Sequence, residues 1–170
     1  EIPLETVQYV VEKAVEKKIP VILNPAPAQP LPDEILKHIH ILTPNQKEAE
    51  SLTGISIVDN PTAEAAAKAL AAKGVKTVII TLSKSGALIL DQGRIEWVPA
   101  PEVTAVDTTA AGDVFCGSLA VALSEKKTIK ESVTFACAAA ALSVTKMGAQ
   151  TSAPTRREVD QFLRRWSTHS

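Results

Sequence analysis

The sequence predicts an α/β protein: a mostly parallel sheet covered by helices, with a β-hairpin added late. Three observations predict it. Segments with helical periodicity alternate with short apolar runs, the order that builds a parallel sheet. Two of those runs, Ile19–Leu23 and the β-branched Val75–Leu82, read as buried strands. Near the middle of the chain, Asp91-Gln92-Gly93 separates Gly86–Leu90 from Arg94–Val98, the pattern of a hairpin with glycine where positive φ is easy.

The elements follow in order. Leu4, Val7, Val11 and Ala14 share one helical face, widened by Val10 and Val15, and Lys17 and Lys18 suit that helix's last turn. After the strand Ile19–Leu23, the three prolines of the stretch from Asn24 to Pro30 forbid a helix and predict a rigid loop at a strand's carboxyl end. Pro32–Lys37 reads as a short helix and His38–Leu42 as the next strand. His38 and His40 alternate there with Ile39 and Ile41, so exposed positions rather than catalysis are expected of the histidines.

Asn45 is a good N-cap, and Glu48 three residues on completes a capping box, with Gly54 ending that helix. Asp59-Asn60-Pro61-Thr62 reads as a turn, and Ala63–Lys73 as a helix closed by Gly74. Val103–Val106 reads as a strand leading into Asp107-Thr108-Thr109-Ala110-Ala111-Gly112-Asp113. From Gly112 to Leu123 the pattern is helical and apolar enough to be buried on more than one face. Glu131–Thr145 is a second buried helix, rich in alanine, and Glu158–Trp166 is a surface cap with alternating charge.

Composition narrows the function. The chain has 170 residues, enough for one domain with a core, and a net charge of −1, which leaves no electrostatic footprint for nucleic acid. The longest uncharged stretch, Ser132–Thr145, is too short to span a membrane. Cys116 and Cys137 lie in apolar helical patterns without metal spacing, as reduced cysteines of a cytoplasmic protein do. No G-x-G-x-x-G follows an early strand, which argues against a dinucleotide-binding dehydrogenase.

The stretch from Asp107 to Asp113 carries the chemistry. Small residues at Ala110, Ala111 and Gly112 let a ligand approach the backbone, and the free amides of a helix start can receive an anion. Asp113 at that helix start would repel a phosphate unless it served chemistry, such as taking a proton from an attacking hydroxyl. The plainer alternative makes Asp107 and Asp113 ordinary helix-start residues favoured by the dipole.

This string resembles the D-T-x-G/A-A-G-D signature of the ribokinase-like (PfkB) carbohydrate kinases. Asn24-Pro25-Ala26-Pro27-Ala28, Thr43–Glu48, Thr81–Gly86 and Lys146–Gln150 resemble further motifs of that family in the family's order. The resemblance implies a three-layer sandwich with helices on both faces of the sheet. It also implies that residues 1–170 form the C-terminal part of a single kinase domain, without the N-terminal half that carries most of the sugar pocket and the lid.

By that resemblance the activity is ATP-dependent phosphorylation of a small sugar's primary hydroxyl, with D-ribose giving D-ribose 5-phosphate as the first expectation. A fructose or nucleoside kinase, or a nucleotide-binding module without catalysis of its own, are the alternatives. Asp113 is the expected base, and Ala110, Ala111 and Gly112 the anion hole. ATP falls to Asn45, Thr81, Leu82, Ser83, Lys84, Ser85, Gly86, Gly112, Asp113 and Cys137, with Asn24 near the phosphates. Glu1 and Asp113 are expected at the sugar. Glu48 is expected to organise Mg²⁺ through water. K⁺ is expected at the Asp107 carboxylate, the Thr109 carbonyl, the Ser143, Lys146 and Gly148 carbonyls and the Ser152 side chain. A homodimer of the full-length protein through the lid is also implied. One departure stands out: Ser83 occupies the first glycine position of the family's T-x-G-x-x-G loop.

Overall fold

The computed structural model describes residues 2–166. Helix α1 (Leu4–Glu16), strand β1 (Ile22–Leu23), helix α2 (Asp33–Leu36), strand β2 (Ile41–Leu42) and helix α3 (Gln46–Thr53) come first. Helix α4 (Asn60–Ala72) and strands β3 (Thr77–Thr81), β4 (Ala87–Asp91) and β5 (Arg94–Val98) follow, then helices α5 (Ala111–Ser124), α6 (Ile129–Ser143) and α7 (Arg156–Trp166). The residues group into two compact units. One holds the chain through Leu82 with Leu88–Glu96, the other Ser83–Ala87 with everything from Trp97 on.

The first unit is built on a sheet of order β1-β2-β3-β4-β5. β1, β2 and β3 are parallel, with Ile22 opposite Ile41 and Ile41 opposite Thr77. The link from β3 to β4 is too short for a parallel crossover, which takes a dozen or more residues. β4 therefore turns back, and the Thr77 hydroxyl at the start of β3 donates to Asp91 Oδ1 at the end of β4, 2.6 Å away. Gln92 (φ 49°) and Gly93 (φ 78°) form the two-residue turn to β5, both left-handed as a type I′ hairpin requires.

The apolar runs of β3 and β4 are buried at every position but the last. Leu36, Leu42 and Leu70 are fully buried in the same unit. The strand ends lie inside the expected ranges: Ile19–Val21 and His38–His40 stay outside the ladders, and both histidines are exposed beside buried Ile39. Val11 alone of α1 is fully buried, whereas Val10 and Val15 are exposed rather than part of the packed face.

Asp59 to Thr62 is not a separate turn. Asp59 caps α4, its carboxylate accepting from the Thr62 amide while the Thr62 hydroxyl reaches back to the Asp59 backbone, and Pro61 sits in the first turn where its missing N–H costs nothing.

The second unit packs α5 and α7 against α6. Ala122, Phe135, Ala138, Ala139 and Val159 form a buried cluster, lined by Val114, Leu142, Phe162 and Leu163. Alanines at the α6 contacts let the helices come close. Two expectations fail here. Residues 103–106 form no strand: the Val106 amide and the neighbouring Asp107 amide both donate to Val144 O, at 2.7 and 3.1 Å, so the segment is tied to a helix end instead of a ladder. α5 is buried on one stripe only, Phe115, Leu119 and Ala122, while Gly112, Asp113, Gly117 and Val121 are exposed. Among the described residues, no helix is long and apolar enough to cross a membrane.

Candidate active site

In the first unit the predicted site residues gather at the carboxyl ends of three adjacent parallel strands. Asn24 follows β1 and its amide nitrogen donates to Thr43 O at 2.9 Å. Asn45 follows β2 and bridges to Thr81 at the end of β3, whose amide donates to Pro44 O at 3.0 Å. Asn45 is the N-cap of α3: its side chain accepts from the Glu48 amide at 2.9 Å. The Glu48 carboxylate accepts from the Asn45 backbone and side-chain nitrogens, both at 2.8 Å. Glu48 is buried, and that burial pushes its carboxyl above the usual range, against the opposing pull of the Asn45 amide. Each of its oxygens thus accepts one hydrogen bond from the cap.

Thr81 and Leu82 lead into a 3-10 turn over Ser83–Ser85, with all three residues exposed. Ser83 has φ 53°, a left-handed position that costs a side chain roughly 1 kcal/mol. The loop holds its shape despite the serine, and the Gly86 amide closes on Ser83 O at 3.0 Å. Gly86 itself has φ 88°, and a Cβ there would lie 2.0 Å from Val98 O. The sequence marks this glycine as part of a loop motif; the structure adds that no other residue fits against the chain beyond β5.

In the second unit the stretch from Asp107 forms a tight turn into α5. Ala110 is the N-cap residue, left-handed at φ 60°, and has no side chain with which to cap. Of the three expected anion-hole amides, that of Ala111 makes a long 3.3 Å bond to Thr108 O. Space is open where a side chain on Gly112 would begin. Asp113 is the third helical residue, exposed, and lines with Ala110 an open cavity of about 550 Å³. Val114, Gly117 and Val121 line the same cavity along α5. The aspartate is therefore exposed beside an open cavity at the start of α5.

Asp107 organises the turn. Its Oδ1 accepts from the Thr109 hydroxyl at 2.6 Å and the Thr109 amide at 2.9 Å, and its Oδ2 from the Gly148 amide at 2.9 Å. The Thr109 hydroxyl foremost, then the Gly148 and Thr109 amides, lower its pKa to about 2. Asp107 thus clasps the loop after α6 to the start of α5. In that loop Ser143 O accepts from the Lys146 amide at 3.1 Å. Ser152, almost fully buried, donates to Ala149 O at 2.8 Å, and Gly148 is left-handed at φ 95°. Asp107 is thus ionised at neutral pH, and a carboxylate oxygen is a donor of the kind that suits a hard cation.

The family profile described as pfkB family carbohydrate kinase matches residues 1–156. The chain belongs to that family. Ribokinase of Haemophilus influenzae is 47% identical over 163 residues, which make up 96% of this chain and 53% of that protein. Ribokinase of Thermotoga maritima superposes with a TM-score of 0.86 at 45% identity, covering 96% of this chain and 54% of the other. The structure of Arabidopsis thaliana ribokinase complexed with ribose and ATP gives 0.91 at 35% identity, covering 96% and 53%. This pfkB-family chain therefore has the ribokinase-like α/β sandwich with a mixed sheet, and it spans about half the length of the relatives it matches.

Glu1 lies outside the described residues. Cys137 is buried within α6, where desolvation pushes its thiol up to about 12 and keeps it protonated at neutral pH. Among the described residues no cluster of three or more histidine, cysteine or carboxylate groups is placed to hold a metal ion. One feature escaped the sequence reading: Glu158, taken only as part of the last helix, bonds Lys146 of the loop after α6 at 3.0 Å.

Proposed function

We propose that the protein containing this chain is an ATP-dependent sugar kinase that phosphorylates the primary hydroxyl of D-ribose to give D-ribose 5-phosphate. The observation that carries the reading is Asp113, exposed in the first turn of α5 immediately after the left-handed Ala110. A carboxylate there accepts the proton of a bound alcohol as its oxygen attacks the γ-phosphoryl group, whose bond to the β-phosphate oxygen breaks to release ADP. The helix-start amides of Ala110, Ala111 and Gly112 face the charge that develops on the transferred group. The weak Ala111–Thr108 bond is one an anion would displace. Ribose as the sugar is supported by the ribokinases among the relatives and by the ribose and ATP held by the Arabidopsis protein.

Asn45, Thr81–Gly86 and Asn24 take the nucleotide's phosphates and ribose, with Cys137 as an apolar wall for the base. Mg²⁺, when bound, would supply charge neutralisation for the nucleotide's phosphates, and K⁺ would stabilise the turn whose amides meet the anion. Glu48 would hold the first through water. Asp107, the Thr109, Ser143, Lys146 and Gly148 carbonyls and Ser152 would hold the second. Cytoplasmic location and a homodimer of the full-length protein complete the proposal.

Asp113→Asn in the full-length protein is the test. Turnover falls by about 10²-fold or more while nucleotide affinity stays within a few-fold. Undiminished turnover in that variant rejects the reading. A second reading, nucleotide binding without phosphoryl transfer by these 170 residues alone, is favoured by the chain's spanning only 53% of its Haemophilus relative.

A further inference from the structure

The cation loop is held from two sides, and only one of them is the Asp107 clasp. Val144 O takes the amides of Val106 and Asp107, and the Gly148 amide returns to Asp107 Oδ2. Lys146 lies between these two attachments. Its Nζ is 3.0 Å from Glu158 Oε1, in the first turn of α7. An exposed lysine–glutamate pair normally contributes little, because two long side chains must be ordered to make it. Glu158 is already ordered: its Oε2 accepts from the Thr155 amide at 2.6 Å and the Thr155 hydroxyl at 2.8 Å. The helix α7 that carries it is anchored in turn by Val159 in the buried cluster.

We infer that Glu158 is a positioning residue for the monovalent-cation loop. The rigid start of α7 fixes Glu158, Glu158 fixes Lys146, and Lys146 sets the backbone between Ser143 and Gly148, whose carbonyls the cation reading assigns to the ion. The same backbone delivers the Gly148 amide to Asp107, so the register of α7 reaches the turn at Ala110. The inference rests on the cation reading of this loop.

The test is thermal unfolding of the full-length protein titrated with KCl against choline chloride at constant ionic strength, without substrates. K⁺ raises the wild-type midpoint temperature above that in choline. Glu158→Gln keeps an acceptor for Thr155 but loses the charge that holds Lys146, and Lys146→Met removes the ammonium. Each needs about two- to five-fold more K⁺ for half of the shift, and the double variant is no worse than either alone. Lys146→Arg retains the pair and stays closest to wild type. If wild type shows no K⁺-specific shift, the cation reading falls and this inference with it. If wild type responds and the two variants lose stability equally in both salts at an unchanged K⁺ midpoint, the pair is merely structural and the inference alone is overturned.

Discussion

Ala110 shows how a residue choice can be nearly neutral for stability and decisive for shape. Its left-handed φ of 60° costs roughly 1–2 kcal/mol for a residue with a Cβ. Glycine would relieve that cost but add roughly 0.5–1 kcal/mol of unfolded-chain entropy. Ala110→Gly is therefore expected to shift stability by less than about 1 kcal/mol in urea unfolding. Ala110→Val places a β-branched residue in the same conformation and is expected to cost about 2 kcal/mol or more. Equal stabilities for the two variants would mean that the left-handed turn is not populated. At Asp107 the argument is electrostatic. Its native pKa of about 2 lies below the ordinary aspartate value, so its donors favour the ionised native state. That contribution is complete above about pH 4 and is lost as pH falls towards 2. Asp107→Asn should lower the urea midpoint at pH 7, and its gap from wild type should close on acidification through that window. A gap constant from pH 7 to pH 2.5 would show that Asp107 contributes by shape alone.

The elements were legible where local chemistry decides them and illegible where packing does. Asn45 with Glu48, and Gly54 at φ 72°, stand where sequence spacing puts a helix start and stop. The same spacing at Thr128 and Glu131 forms a capping box that opens α6, two residues before the expected start. Asp59 and Thr62 do likewise for α4, where the proline suggested a turn. The strand expected over 103–106 failed because an apolar run does not reveal its hydrogen-bond partner, and here the partner is Val144 O. α5 was misread for a related reason: an apolar sequence all around a helix does not say which side meets a neighbour. Because the α6 cap is local, its removal is predictable in size. Thr128→Ala deletes the acceptor for the Glu131 amide and the hydroxyl bond to Glu131 Oε2, and should cost about 1 kcal/mol. Chemical denaturation with an unchanged m-value would report it. A loss below about 0.3 kcal/mol would mean that tertiary contacts, and not the box, set the start of α6.

At the scale of the molecule, the order of helices and strands was readable in the first unit because it follows one rule, apolar strands inside and helices against them, whereas the second packs helix on helix. The two halves of the candidate site were readable only as separate motifs, since the sequence shows no distance between Asp107 and Gly148. The clasp between them appears once the chain has folded across 41 positions. A similar limit applies to activity. The Haemophilus ribokinase shares with this chain only 53% of its own length, and the resemblance assigns most sugar contacts to the part not shared. The residues that the resemblance assigns to the nucleotide at the β1, β2 and β3 ends are all present. The 170 residues alone are therefore expected to bind ATP saturably but to form no ribose 5-phosphate from ATP, Mg²⁺, K⁺ and ribose. A nucleotide titration by calorimetry and direct product detection check the two halves of that statement separately. Product formed by the 170 residues would place the sugar contacts within them, and failure to bind ATP would mean that the strand-end residues need the remaining sequence to take up their binding geometry.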